Sequence, residues 1–287
     1  MKFTAAALSF ALCLAGTVSA HNHIHRRHKP SATYVPPASP TSSSTPPPTS
    51  TPKPSNGACS KRGVPYNDPA ATKNFGDNVC WAYNWASESG DGLRSGLEYV
   101  PMLWSDSPDH TKNWKDDATA AIAAGATHLL GFNEPDLGAQ ANMSPETAAS
   151  AWKQFMEPFA GKAKLCSPAI TNGGAPMGEA WLDAFLSACT GCTIDCVTLH
   201  IYDSATNTAY YQKYISDAGK KYGKPVWVTE MGANGSDQEK QQFLQTMLPF
   251  LDGLETVERY AYFMAGQGIL TTGNNDLTSL GNTYNSA

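Results

Sequence analysis

Two short segments, Gly131-Phe132-Asn133-Glu134-Pro135 and Val226-Trp227-Val228-Thr229-Glu230, each carry an apolar run straight into a glutamate. Two carboxylates facing one another across a sugar can divide the cleavage of a glycosidic bond. One gives a proton to the leaving oxygen, and the other meets the anomeric carbon or activates a water. A glutamate at the end of an apolar run is ordinarily a solvated strand terminus, so the pair gains meaning only if one fold brings both ends together. A closed barrel of parallel strands does so, because its catalytic groups sit at the C-terminal strand ends.

The rest of the chain supplies the elements for such a barrel. Short apolar or β-branched runs cover residues 63–66, 79–84, 99–104, 128–132, 165–170, 197–202, 226–230 and 260–264. Between them lie helix signals: 111–124 closed by Gly125, Ser144-Pro145-Glu146 opening a face of Trp152, Phe155, Met156 and Phe159, and a capping box at Ser236 and Glu239. This alternation predicts an α/β chain, a single (β/α)8 TIM barrel. The first two crossovers, 67–78 and 85–98, hold little helical periodicity.

Upstream segments are expected to lie outside that barrel. Residues 1–20 have Lys2, an apolar core and the small-residue exit Val18-Ser19-Ala20, the pattern of a secretory signal peptide. Residues 21–57 form a linker, first His-rich and basic, then almost wholly Pro, Ser and Thr, which cannot bury enough apolar surface to offset the entropy of ordering. A (β/α)8 catalytic domain is placed at 58–287. A free amino terminus with His21 and His23 could bind copper, but a solvated basic segment or a processing site at Arg26-Arg27 is the simpler reading.

The net charge of −5, with no Lys/Arg stripe in the globular part, argues against nucleic acid. Past the signal no apolar run is long enough to span a bilayer, and the C-terminal tail is polar, so no membrane partner or lipid anchor is expected. The expected state is a secreted or wall-associated monomer. Its chemistry requires neither metal nor cofactor. Seven cysteines become six when Cys13 leaves with the signal, which suggests three disulfides. Pairing Cys59 with Cys80, Cys166 with Cys196 and Cys189 with Cys192 suits the barrel, though connectivity stays open. Cys189, Cys192, Cys196 and His200 also have zinc-ligand spacing.

Taken in order, Gly131-Phe132-Asn133-Glu134-Pro135-Asp136, Ser167-Pro168-Ala169, Asp195-Cys196-Val197-Thr198-Leu199-His200-Ile201-Tyr202, Val226 to Glu230 and Tyr262-Phe263 resemble the fungal glycoside hydrolase family 128. That family includes β-1,3-glucanases and related alkali-sensitive-linkage cell-wall proteins, and the resemblance runs from about residue 61 to the end. It implies a retaining endo-β-1,3-glucanase, with Glu134 after the fourth strand as acid/base and Glu230 ending the seventh as nucleophile. It also implies that Asn133 holds the sugar 2-hydroxyl. A β-glucan-binding wall protein with little turnover, or an exo-acting enzyme, are the alternatives; retention of both glutamates with Asn133 favours catalysis.

Strand parity sorts the remaining candidates. His200 and Tyr202 share a face at the end of the sixth run, where they could hydrogen-bond the nucleophile or a sugar hydroxyl; a satisfied core histidine is the alternative for His200. Trp85 and Trp104 end their runs, where an indole stacks on a pyranose ring. Trp81 is expected in the core. Trp227, three residues before Glu230, is expected to point outward to the helices. Phe132 and Phe263 could line the pocket or fill the barrel, with packing the preferred reading, and Asp136 is read as a turn cap. Asn142 and Asn234 fit the N-glycosylation pattern, but glycans there would crowd the barrel mouth, so occupancy is not expected.

Overall fold

The computed structural model describes residues 61–286. The expected signal peptide, linker, His-rich segment and Cys59 lie outside the described residues. Eight strands follow one another: β1 (Arg62–Pro65), β2 (Trp81–Tyr83), β3 (Glu98–Tyr99), β4 (His128–Leu130), β5 (Lys164–Ile170), β6 (Cys196–Ser204), β7 (Val226–Asn234) and β8 (Val257–Tyr262). They form one sheet in the order β3-β2-β1-β8-β7-β6-β5-β4, and all pairings are parallel. Its two edges meet, since Leu130 N donates to Pro101 O at 3.0 Å and Leu103 N to Leu130 O at 3.1 Å. The sheet is therefore curled into a barrel.

The main helices are α1 (Pro108–Thr111), α2 (Trp114–Ala123), α3 (Pro145–Ala151), α4 (Glu179–Ala188), α5 (Thr208–Tyr222), α6 (Asp237–Gly253) and α7 (Ser279–Ser286). Between β1 and β2 only a 3₁₀ turn, Pro69–Thr72, appears, and β2 leads to β3 without a helix, as the weak periodicity of both crossovers implied. Ser236 and Glu239 make the expected capping box of α6. The segment after Ser144 departs from expectation: α3 stops at Ala151 and widens into a π turn, Trp152–Met156, before a 3₁₀ turn containing Pro158. Proline has no N–H to continue the ladder, and its ring crowds the carbonyl four residues back.

The barrel interior is packed with large side chains. Trp81 and Trp227 meet at 5.1 Å between ring centroids, in one buried cluster with Cys166, Cys196, Leu130 and Ala261. Room for the Trp81 indole comes from Gly63 on β1, where a Cβ would lie 2.1 Å from the ring. Cys166 and Cys196 are bonded across paired positions of β5 and β6, and Cys189 is bonded to Cys192. These bonds leave no thiolates for the alternative zinc site. Cys80 is also disulfide-bonded.

Trp227 is structural, but it faces the barrel interior and not the helices. Leu199 pairs with Val228 whereas His200 pairs with Glu230, so Thr229 is an extra residue in β7. Such a bulge shifts the alternation by one, putting Trp227 on the same side as Glu230.

The N-terminal mouth of the barrel is closed by a charged cluster. Arg259 pairs with Glu98 at 2.5 Å and lies 4.6 Å over the Trp227 ring, while Trp227 Nε1 donates to Glu258 at 2.8 Å. The His128 ring, whose Nε2 lies 3.5 Å from Glu258 Oε2, is the main cause holding the Glu258 carboxyl down at about 2, helped by Trp227. A depressed folded-state value gives stability that is present above the ordinary carboxylate range and lost as pH falls toward 2. Thermal melts between pH 5 and 2 should therefore show wild type losing more stability than Glu258→Gln. Solvent screening at this half-exposed group keeps the difference to about 1 kcal/mol or less. Parallel pH dependence in the two proteins would contradict this role.

Candidate active site

Every strand-end residue that could do chemistry sits at the opposite, C-terminal mouth. Glu134 follows β4 through Asn133, which bridges Ala169 of β5, and the Glu134 N–H donates to Ala169 O at 2.8 Å. This holds Glu134 at φ 42°, a left-handed conformation that a non-glycine residue adopts at a cost of about 1–3 kcal/mol. Glu230 lies within β7, just past the bulge. Both glutamates are buried, at 8% and 6% exposure, and a carboxylate oxygen of each, with a ring nitrogen of His200, lies within 4.8 Å of the others.

His200 is fully buried between them. Its Nδ1 and Glu134 Oε1 are 2.8 Å apart, and its Nε2 lies 2.9 Å from Thr229 Oγ1 and 3.6 Å from Glu230 Oε1. Burial pushes the imidazole down, but the charge of Glu230 and the hydrogen bond with Glu134 outweigh it, so the ring is held above its ordinary value. The bulge residue Thr229 thus has a use: it fixes the far side of the ring.

Glu230 is held by neutral donors. The Tyr202 hydroxyl donates to Oε2 at 2.5 Å and the Trp85 indole N–H to Oε1 at 2.8 Å. The Tyr83 hydroxyl lies 3.2 Å from Thr229 O and 3.4 Å from Glu230 Oε1. Burial, then the charge of Glu230, raises both phenols well above their ordinary value, so they stay protonated as donors. Among the described residues, the ion pairs of Glu134 and Glu230 are with His200 alone.

The expected site residues converge here. Trp85 does more than offer a face: at φ 59° its backbone is turned so that the N–H reaches Glu230 while the ring remains half-buried. Trp104 is half-buried at the rim, its carbonyl accepting from Asn133 N at 2.9 Å and its ring 5.0 Å from His110. Asn133 donates from Nδ2 to Gln140 at 3.3 Å, leaving its buried Oδ1 without a protein partner. Phe132 packs on Trp152 in the outer core as read. Phe263 does not simply pack: half-buried, it stands edge-on to Trp85 at 5.6 Å and Tyr202 at 5.8 Å, forming a wall beside Glu230. Asp136 accepts from Thr171 N and Oγ1 and from Gly178 N, tying the loop after β4 to the loop after β5. Asn142 and Asn234 are exposed.

Tyr83 and Thr229 were not singled out from sequence. Tyr83 had a signal, since it shares strand parity with Trp81 and Trp85 and so lies on their inward face. Thr229 had none, because its inward position exists only through the bulge.

Residues 63–284 match the family model described as glycosyl hydrolase catalytic core. A family 128 (subgroup III) curdlan-specific exo-β-1,3-glucanase from Blastomyces gilchristii, solved with glucose, is 42% identical, with TM-score 0.73, covering 79% of this chain and 98% of that one. The chain belongs to glycoside hydrolase family 128. Other family 128 structures include a subgroup II endo-β-1,3-glucanase from Sorangium cellulosum, 30% identical with TM-score 0.69 and covering 79% and 98% of the two chains. A subgroup I endo-β-1,3-glucanase variant from Amycolatopsis mediterranei, in complex with laminaripentaose, is 34% identical with TM-score 0.68, covering 79% and 99%. Alkali-sensitive linkage protein 1 of Schizosaccharomyces pombe is 37% identical over 218 residues, 71% of this chain but only 38% of that protein's length.

Proposed function

We propose that this family 128 chain is a secreted, monomeric, retaining β-1,3-glucanase that cuts within the chain and acts in the fungal cell wall. Residues 1–20 serve as its signal peptide and residues 21–57 as a linker. The observation that carries the mechanism is that one carboxylate oxygen of Glu134 and one of Glu230 lie within 4.8 Å of each other, an atom-to-atom approach that favours the shorter of the two carboxyl spacings. Retaining pairs stand about 5–5.5 Å apart, whereas inverting pairs need about 6.5–9.5 Å to admit a water between carboxylate and sugar. The substrate class rests on the β-1,3-glucanase relatives.

Glu134 donates its proton to the glycosidic oxygen as Glu230 attacks the anomeric carbon, the C–O bond breaks, and a glycosyl ester forms on Glu230. Glu134, now a carboxylate, takes a proton from water as that water's oxygen bonds the same carbon and releases Glu230. His200 shares a proton with Glu134 and fixes its direction. Asn133 Oδ1 accepts the sugar 2-hydroxyl, a bond that strengthens as positive charge grows on the sugar. Trp85, Trp104 and Phe263 supply the apolar faces against which the rings lie.

Trp85→Phe tests how Glu230 is held, because it keeps an aromatic face and removes the N–H. A hydrogen bond to a charged group is worth enough that kcat should fall about 10- to 100-fold with KM little changed. A rise in KM alone would show that Trp85 acts only as a stacking surface. The function itself is tested by incubating the protein with laminarin, curdlan and defined β-1,3-oligosaccharides and following products over time. Internal cleavage to mixed oligosaccharides is expected. Glucose as the sole early product would establish the exo reading that the Blastomyces relative suggests, and no cleavage would overturn the enzyme reading for β-1,3-glucan.

A further inference from the structure

Tyr202 reaches Glu230 from a stretch of β6 that has run past the backbone ladder of β5, whose last pair is Ile170 with Leu199. A side chain takes over where that ladder stops. Tyr202 N donates to Asn172 Oδ1 at 3.2 Å, and Asn172 Nδ2 donates to Tyr202 O at 3.1 Å. The amide thus presents the same donor and acceptor that a neighbouring strand would offer. Asn172 is itself steadied by the Tyr210 hydroxyl at 3.1 Å, and the preceding Thr171 is bound by Asp136, two residues beyond Glu134.

The other side of Tyr202 faces Gly232, its register partner on β7. A Cβ on Gly232 would stand 2.4 Å from Tyr202 Cε1 and 2.6 Å from Cδ1, so the ring lies across the space a side chain would fill. Gly232 has no left-handed backbone that would require glycine, and the requirement is therefore spatial. Next to it the Tyr211 hydroxyl accepts from Asp203 N and donates to Gly232 O, both at 2.6 Å, which locks β6 to β7 at this point.

We propose that Asn172 and Gly232 are positioning residues that act on Glu230 through Tyr202. Together with the Asp136 clamp, Asn172 ties the loop carrying Glu134 to the strand that orients Glu230, so the bracket sets the spacing of the two carboxylates. This rests on Glu230 being the nucleophile of a β-1,3-glucanase.

The test is a double-mutant cycle on a β-1,3-oligosaccharide with Asn172→Ala, Tyr202→Phe and the double variant. Alone, Asn172→Ala is expected to lower kcat about 10-fold with KM within about twofold. Added to Tyr202→Phe, it should cost less than about twofold more, because the residue it serves has already lost its hydroxyl. Losses that multiply, or a change confined to KM, would overturn the proposal. If thermal melts show that Asn172→Ala does not fold, Gly232→Ala takes its place in the same cycle with the same expectation.

A readout without substrate separates this proposal from the functional reading. The proton of the Tyr202 hydroxyl, identified in NMR spectra by its loss in Tyr202→Phe, should shift or broaden in Asn172→Ala and in Gly232→Ala. An unmoved resonance would overturn the proposal even in an active enzyme. A moved resonance in a protein that cleaves no glucan would leave the bracket standing and overturn the glucanase.

Discussion

Glu230→Gln is expected to lose turnover on β-1,3-glucan by about 10⁴-fold or more, the scale on which removing a covalent nucleophile acts. The amide is nearly isosteric, and Trp85 and Tyr202 can still approach it, so the fold and oligosaccharide binding should survive. Steady-state kinetics and calorimetry on the same preparation check both halves. A Gln variant that keeps turnover would mean that the wrong carboxylate has been assigned. A variant that loses binding and thermal stability together would mean that Glu230 is structural.

Glu134→Ala should cost about 10²- to 10⁴-fold on glucan, the range for a general acid/base. Its signature is selectivity between steps. An aryl β-glucoside with an acidic phenol needs no proton to leave, so ester formation on Glu230 should stay fast while hydrolysis of the ester becomes slow. A burst of phenol followed by accumulation of a glycosylated protein, visible by mass spectrometry, is the expected result. Equal losses on glucan and on the activated substrate, with no burst, would contradict the acid/base role. Removing Glu134 also deprives the buried His200 of its nearest carboxylate, so the variant's thermal stability belongs in the same experiment.

Much of this architecture was legible in the sequence because it rests on patterns a linear chain displays. Eight apolar runs of strand length, their order, and two glutamates at the ends of the fourth and seventh were enough to predict a barrel with both carboxylates at one mouth. The Cys166 to Cys196 bond is one of the pairings that suited neighbouring strands, but residue spacing alone left the connectivity open. Parity carried His200 and Tyr202 to the right face, yet the partners differ: Tyr202 binds Glu230, while His200 lies closest to Glu134.

Parity failed where the backbone broke its own period. The extra Thr229 in β7 turned Trp227 inward and created a partner for His200, and neither consequence has a signature in residue types. Left-handed backbone at Trp85 and Glu134 was equally invisible, since neither is a glycine or asparagine, and it decides where both side chains point. Asn172 and Gly232 fall just past the expected fifth and seventh runs, 165–170 and 226–230, and their residue types carry no sign of a role. Their roles depend on a side chain standing in for a missing strand and on the space beside one ring.

A binding protein on the same barrel would share the aromatic rim and the packed interior. It would have no use for two buried carboxylates sharing one histidine within 4.8 Å. What separates enzyme from binder, and a double displacement from a single one, is the fate of the anomeric centre. The decisive measurement is proton NMR of a β-1,3-oligosaccharide during the first minutes of cleavage, before the new reducing end mutarotates. The β-anomer should appear first. Appearance of the α-anomer first would contradict the assignment of Glu230 as a nucleophile that attacks the sugar directly.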